Sequence, residues 1–141
     1  MENLHKHPLE GKYIIYNYGH QDHAGEGWAL ALFQLKNETM REVYHPANHV
    51  MQLSDIGDTQ TNELLELMIQ KDIRKVYSVW HIRDFFGIPA NWFSLHPSGE
   101  EIGEVELWAE YQHIEKGGSE HQRLMHNGIE VIFYDEPYRY H

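Results

Sequence analysis

Two imidazoles and two carboxylates fall within nine residues of this chain, Gly19-His20-Gln21-Asp22-His23-Ala24-Gly25-Glu26-Gly27. Neutral imidazole nitrogens and carboxylate oxygens are the donors that Zn²⁺ and similar ions take, at about 2.0–2.2 Å. Two more histidines, His45 and His49, flank Pro46 in Tyr44-His45-Pro46-Ala47-Asn48-His49. Four residues apart, they would share one face of a helix, but Pro46 and its extended-looking neighbours argue against a helix there. If the fold brings both segments together, His20, Asp22, His23, His45 and His49 make a candidate metal set, and metal-assisted hydrolysis is the chemistry it would serve. The competing reading of the first segment is a solvated polar loop.

A second constellation offers recognition rather than catalysis. Residues 104–114 alternate strictly, with Val105, Leu107, Ala109 and Tyr111 on one face and Glu104, Glu106, Trp108 and Glu110 on the other. Same-face neighbours on a strand stand about 6.7 Å apart, so the carboxylates repel one another, which solubility alone does not require. A large aromatic set in an anionic row suits contact with a basic protein, because aromatic side chains anchor interface centres. The alternative is that Trp108 packs inward while the glutamates only face solvent.

Two short stretches resemble known motifs. Tyr18-Gly19-His20-Gln21-Asp22-His23 resembles the HxHxDH metal motif of the metallo-β-lactamase superfamily, with Tyr18 where that motif has its first histidine. The resemblance implies a metal at His20, Asp22 and His23, on an αββα sandwich that is longer than this chain. The stretch 82–93, with Gly87 at a bend between apolar positions, resembles the turn of a helix-turn-helix. Only Arg83 lies nearby to neutralise phosphate, so a core connection burying Phe85, Phe86, Trp92 and Phe93 fits it better. There is no GxSxG elbow, P-loop or GxGxxG fingerprint.

Composition narrows the classes further. The 141 residues fit one globular domain spanning 1–141, with 1–10 expected to be a loosely ordered N-terminal segment. The chain has no cysteine, which removes disulfides, thiolate chemistry and Cys-based zinc sites. Twenty-two Asp and Glu against eleven Lys and Arg give a formal charge of −11. That surface repels nucleic-acid phosphates and anionic membranes and attracts basic partners. Twelve histidines would cancel the excess if all were protonated near pH 6. No charged-then-apolar leader opens the chain and no apolar run is long enough to span a bilayer, so a cytoplasmic location is expected.

The elements that must position these groups follow from periodicity. Residues 12–18 and 28–36 read as strands around the polar loop 19–27, and a third strand near 40–45 is interrupted by Pro46. Apolar residues on both faces of 28–36 place that strand inside a sheet. Asp58 to Thr61 offer helix caps, and Leu65, Met68, Ile69, Ile73, Val76 and Tyr77 recur at helical spacing. Residues 76–86 suit either a strand or a second helix. Beyond the strand at 104–114 and a turn at 116–119, residues 121–126 and 129–134 flank Asn127-Gly128, the strongest short hairpin signal.

The sum is an α+β fold: a mainly antiparallel sheet of two three-stranded meanders with one principal helix packed on it. The leading functional expectation is a non-enzymatic binding or inhibitor module. It would engage a basic protein through Glu104, Glu106, Trp108 and Glu110, need no cofactor, and permit a homo-oligomer. In size and charge it resembles toxin-neutralising immunity proteins and phage anti-defence proteins. The alternatives are the metal-dependent hydrolase and a small-ligand sensor whose aromatic residues line a pocket.

Overall fold

A computed structural model of the chain describes residues 8–22, 25–37, 39–51, 55–79 and 108–134. Strands β1 (Tyr13–Asp22) and β2 (Gly25–Lys36) form a long antiparallel hairpin, and β3 (Thr39–Tyr44) pairs with the far edge of β2. Residues 19–22 and 25–27 are therefore strand rather than polar loop, because the ladder continues to Asp22 opposite Gly25. At Tyr44 the strand stops, and Pro46–His49 form a short 3₁₀ turn that proline can open because its first amide needs no partner. The turn is too short for an i, i+4 pairing of His45 with His49.

Helix α1 (Asp58–Gln70) then crosses the sheet and returns into β4 (Lys75–Val79), which runs parallel to β1. The helix expected through Tyr77 thus ends seven residues early, and the ambiguous segment begins as a strand. Strand β5 (Trp108–Gln112) lies antiparallel to β1, on the edge that also receives β4. Ser78 of β4 ties the two branches together: its buried hydroxyl accepts from the Ile114 N–H at 3.1 Å and donates to the Ile114 carbonyl at 3.3 Å. The expected strand start, 104–107, lies outside the described residues.

Two corrections concern the last third. Residues 119–126 form a second helix, α2 (Ser119–His126), and β6 (Glu130–Tyr134) pairs in parallel with β4. The sheet order is β3-β2-β1-β4-β6, with β5 branching from β1, so the sheet is mixed and the second antiparallel meander does not form. Asn127-Gly128 is not a hairpin turn. Asn127 has φ −99° and only Gly128 is left-handed, at φ 79°. The Ile129 N–H donates to Leu124 O and the Gly128 N–H to Met125 O, each at 3.0 Å, the bond pair of a Schellman helix cap.

Both sheet faces are covered by apolar groups. On one, Leu64, Leu65 and Met68 of α1 and Leu124 of α2 pack over Ile15, Leu30, Leu32 and Val76. On the other, Tyr16, Tyr18, Phe33 and Met40 pack with Leu9, Ala47 and Ile56. Leu9 belongs to a turn at 8–11 that hydrogen-bonds back to Leu35, while residues 1–7 lie outside the described set. The two-faced apolar pattern of β2 matches its place between β1 and β3. No helix among the described residues is long and apolar enough to cross a membrane.

Candidate functional site

Of the five candidate metal ligands, the structure describes the side chains of His45 and His49. His20 and Asp22 occupy alternate positions of β1, opposite Gly27 and Gly25, and His23 lies outside the described residues. His45 is buried, its ring edge-on to Tyr18 with centroids 4.5 Å apart, and its Nδ1 accepts the Ala47 N–H at 3.1 Å. That nitrogen is committed to capping the 3₁₀ turn. His49 instead stacks on Tyr44 across the chain, with centroids 4.3 Å apart and planes 11° from parallel. Tyr18 and Tyr44 belong to different core clusters, so the two histidines have different ring partners. Among the described residues no group of three His, Asp or Glu side chains is arranged to hold a metal ion.

His49 and Tyr44 do meet a carboxylate. The Tyr44 hydroxyl donates to Glu63 Oε1 of α1 at 2.8 Å, while His49 Nδ1 stands 3.8 Å from the same oxygen. Burial, and then the Glu63 hydrogen bond and charge, push the Tyr44 phenol well above its ordinary range. Glu42 accepts from the Asn48 side chain at 2.6 Å; its burial raises its carboxyl pKa, opposed by that bond and by His49. These contacts fasten the 3₁₀ turn to β3 and α1. A phenol held protonated against a carboxylate is a structural donor rather than an activated acid.

The acidic row is only partly described. Glu104 and Glu106 lie outside the described residues, and Trp108 and Glu110 are fixed as backbone positions on β5. Glu110 sits opposite Gly19 of β1, which in turn sits opposite Trp28 of β2. One transverse row of the sheet therefore runs Trp28, Gly19, Glu110. Trp108 occupies the next row on the same register parity, opposite Gln21.

At that row the structure opens a cleft of about 260 Å³, between the sheet and the first turns of both helices. Its floor comes from the strands. Asn17 and Leu30 face each other across the hairpin, and Trp28 lies beside them. Three consecutive carbons of the indole six-membered ring crowd the position that a Cβ on Gly19 would take, so the ring lies face-down on that glycine. Only glycine admits this approach, an aromatic covering a strand glycine.

The walls come from the helices. Thr61 Oγ1 accepts the Leu30 N–H at 3.2 Å, a buried bond that replaces the ladder partner β3 ceases to supply after Tyr44 pairs with Leu32. This bond pins the N-terminal end of α1 to β2. On the other side Arg123 of α2 donates to Asp58 Oδ1 at 3.1 Å and to the Asn62 side-chain oxygen, joining the two helices above the cleft. Gly57 and Gly118 are the N-caps of the two helices, so no side chain caps either amide end; Gln60 reaches back to the Gly57 N–H at 2.8 Å.

Sequence reasoning missed this cleft because it placed Arg123 and Ser119 in the wrong kind of element. A signal was present: Glu120 in the first turn, with Arg123 and His126 in the last, matches the dipole of a helix over 119–126. No family model, curated protein or solved structure matches the chain.

Proposed function

We propose that this domain is a non-enzymatic binding module that engages a basic protein partner through its acidic surface, centred on β5 and its approach. The observation that carries the reading is the twofold excess of carboxylates over Lys and Arg, a formal charge of −11 on 141 residues. Such a charge accelerates encounter with a basic surface and disfavours nucleic acid and anionic lipid. The register of β5 supports the choice of face, since Trp108 and Glu110 hold alternate positions on a strand that pairs, among the described residues, with β1 alone. Glu104 and Glu106 extend the same alternation in the sequence.

Association kinetics test the reading. A basic partner recovered with the full chain, once purified, should bind with an association rate that falls as salt screens charge beyond about 8 Å at physiological ionic strength. Glu104→Lys with Glu106→Lys should slow association about tenfold or more, and Trp108→Ala should mainly speed dissociation. Kinetics unchanged by salt and by all three substitutions would sink the proposal.

A further inference from the structure

We infer that Asn127-Gly128 is a self-modification site: the Gly128 amide nitrogen closes on the Asn127 side chain, ammonia leaves, and the cap of α2 sets the rate. The inference is independent of the protein-binding reading, rests on different residues, and needs no co-reactant beyond water.

The chemistry belongs to the dipeptide. The chain has seven asparagines, and only Asn127 precedes a glycine. The backbone nitrogen of the following residue attacks the side-chain carbonyl carbon. A new bond forms from that nitrogen to Cγ and the Cγ–Nδ2 bond breaks. Nδ2 departs as ammonia, carrying the proton that the Gly128 nitrogen gives up. Water then opens the five-membered imide at either carbonyl, leaving aspartate or isoaspartate. Glycine favours the attack because it has no Cβ to crowd its nitrogen.

The fold holds the reacting groups apart. Asn127 has ψ 13°, which turns the Gly128 nitrogen toward Asn127's own nitrogen and away from its Cβ, so the ring cannot close from this backbone. The Gly128 N–H, whose proton must leave, donates to Met125 O at 3.0 Å, and the departing Nδ2 donates to Arg123 O at 2.8 Å. The Ile129 N–H to Leu124 O bond, also 3.0 Å, completes the cap, with both of those side chains buried. Reaction therefore requires the cap to open first. That opening is local, since the last turn of an eight-residue helix frays more readily than the core unfolds. Gly128 is itself exposed, so water reaches the opened turn.

The product cannot restore what the asparagine held. A carboxylate at position 127 no longer donates to the Arg123 carbonyl, and it adds negative charge where the helix dipole is already negative. Isoaspartate goes further, because it routes the main chain through Cβ and adds one atom between residues 127 and 128. The bonds from Gly128 to Met125 O and from Ile129 to Leu124 O both span that point, so their shared register is lost. Conversion is one-way: it uses an opening of the cap and leaves α2 less firmly joined to β6.

The test follows the full chain in mildly alkaline buffer, folded and in urea above its unfolding transition, by peptide mapping with mass spectrometry. In urea, position 127 should convert before any of the other six asparagines, and Gly128→Ala should slow it several-fold by crowding the attacking nitrogen. In the folded chain Asn127 should still convert, but about tenfold or more slowly. That suppression should be at least as large as the hydrogen-exchange protection of the Gly128 amide, read by NMR on the same sample, since both processes need the cap open. The converted chain, separated by its extra negative charge, should unfold at lower urea than the parent. The inference is overturned if the folded chain converts as fast as the unfolded one, or shows no conversion at Asn127 over many half-lives of the urea control. Suppression smaller than the exchange protection, a converted chain as stable as the parent, or faster conversion at another asparagine overturns it as well.

Discussion

The α1–β4 and α2–β6 segments are the same device built from different residues. Each helix ends in a Schellman cap, turns through one left-handed residue, and enters a strand, and the two strands pair in parallel from Lys75 beside Glu130 to Val79 beside Tyr134. In the first unit Ile73 N–H donates to Met68 O at 2.8 Å and Asp72 N–H to Ile69 O at 3.2 Å. In the second the corresponding donors are Ile129 and Gly128. Each cap carries the expected apolar pair, Met68 with Ile73 and Leu124 with Ile129, all four buried in the same core cluster. The difference is the left-handed residue: Asp72 at φ 58° in one, Gly128 at φ 79° in the other. Cap geometry is thus set by the bond pattern and the apolar pair, and glycine is one solution to it rather than its cause.

The apolar pairs are the strongest place to test that equivalence. Met68 and Leu124 are each 0% exposed. Truncating either to alanine removes buried methylenes and leaves a cavity, costing about 2–5 kcal/mol. Met68→Ala and Leu124→Ala should therefore lower the denaturant midpoint by comparable amounts, although α1 has thirteen residues and α2 eight. A loss well under 1 kcal/mol at Leu124 alone would mean that α2 is an appendage and that the two units are alike only in outline.

The left-handed positions come next. Gly128→Ala places a Cβ 3.6 Å from Arg74 Nη1, an ordinary contact, so the change tests backbone conformation and not space. An L-residue in this region costs about 1–2 kcal/mol, and alanine has no side-chain group to offset it. Thermal unfolding should show Gly128→Ala destabilised by about that amount. An unchanged stability would show that the second cap does not hold its left-handed turn in solution.

The same comparison explains what could be read from the sequence. The hairpin β1–β2 and the interior place of β2 were legible, because Leu30 and Leu32 alternate with Ala29, Ala31 and Phe33 on two buried faces. Helix α1 was legible in type but not in its end. Ile73 and Val76 continue its apolar rhythm, and only the left-handed backbone at Asp72, which an aspartate does not advertise as a glycine would, stops it. The second unit failed in the opposite direction. Asn127-Gly128 does advertise a left-handed residue, but hairpin turns and helix caps both need one, and the two-residue signal cannot choose. The cleft was lost with it, since Arg123 reaches Asp58 only from a helix. Among the histidines, spacing said nothing of the different ring partners that His45 and His49 take, Tyr18 and Tyr44.

Asp72→Gly is the finest of these tests, because its terms nearly cancel. In the folded state glycine relieves the left-handed strain, which aspartate carries in reduced form because its short polar side chain tolerates this region. Against this, glycine frees the unfolded chain, at a cost of about 0.4–1 kcal/mol to the fold. The substitution also removes the Arg74 Nε to Asp72 Oδ1 contact at 3.0 Å, but the two side chains are 54% and 82% exposed, and such pairs contribute little. The net change should lie within about 0.5 kcal/mol of zero by urea unfolding, and high salt should move the parent no more than the variant. Stabilisation above about 1 kcal/mol would show that Asp72 sits under strain that the α2 cap avoids. Destabilisation of that size would show instead that the aspartate side chain itself holds the first cap. Either result would make the two units different devices with a shared hydrogen-bond pattern.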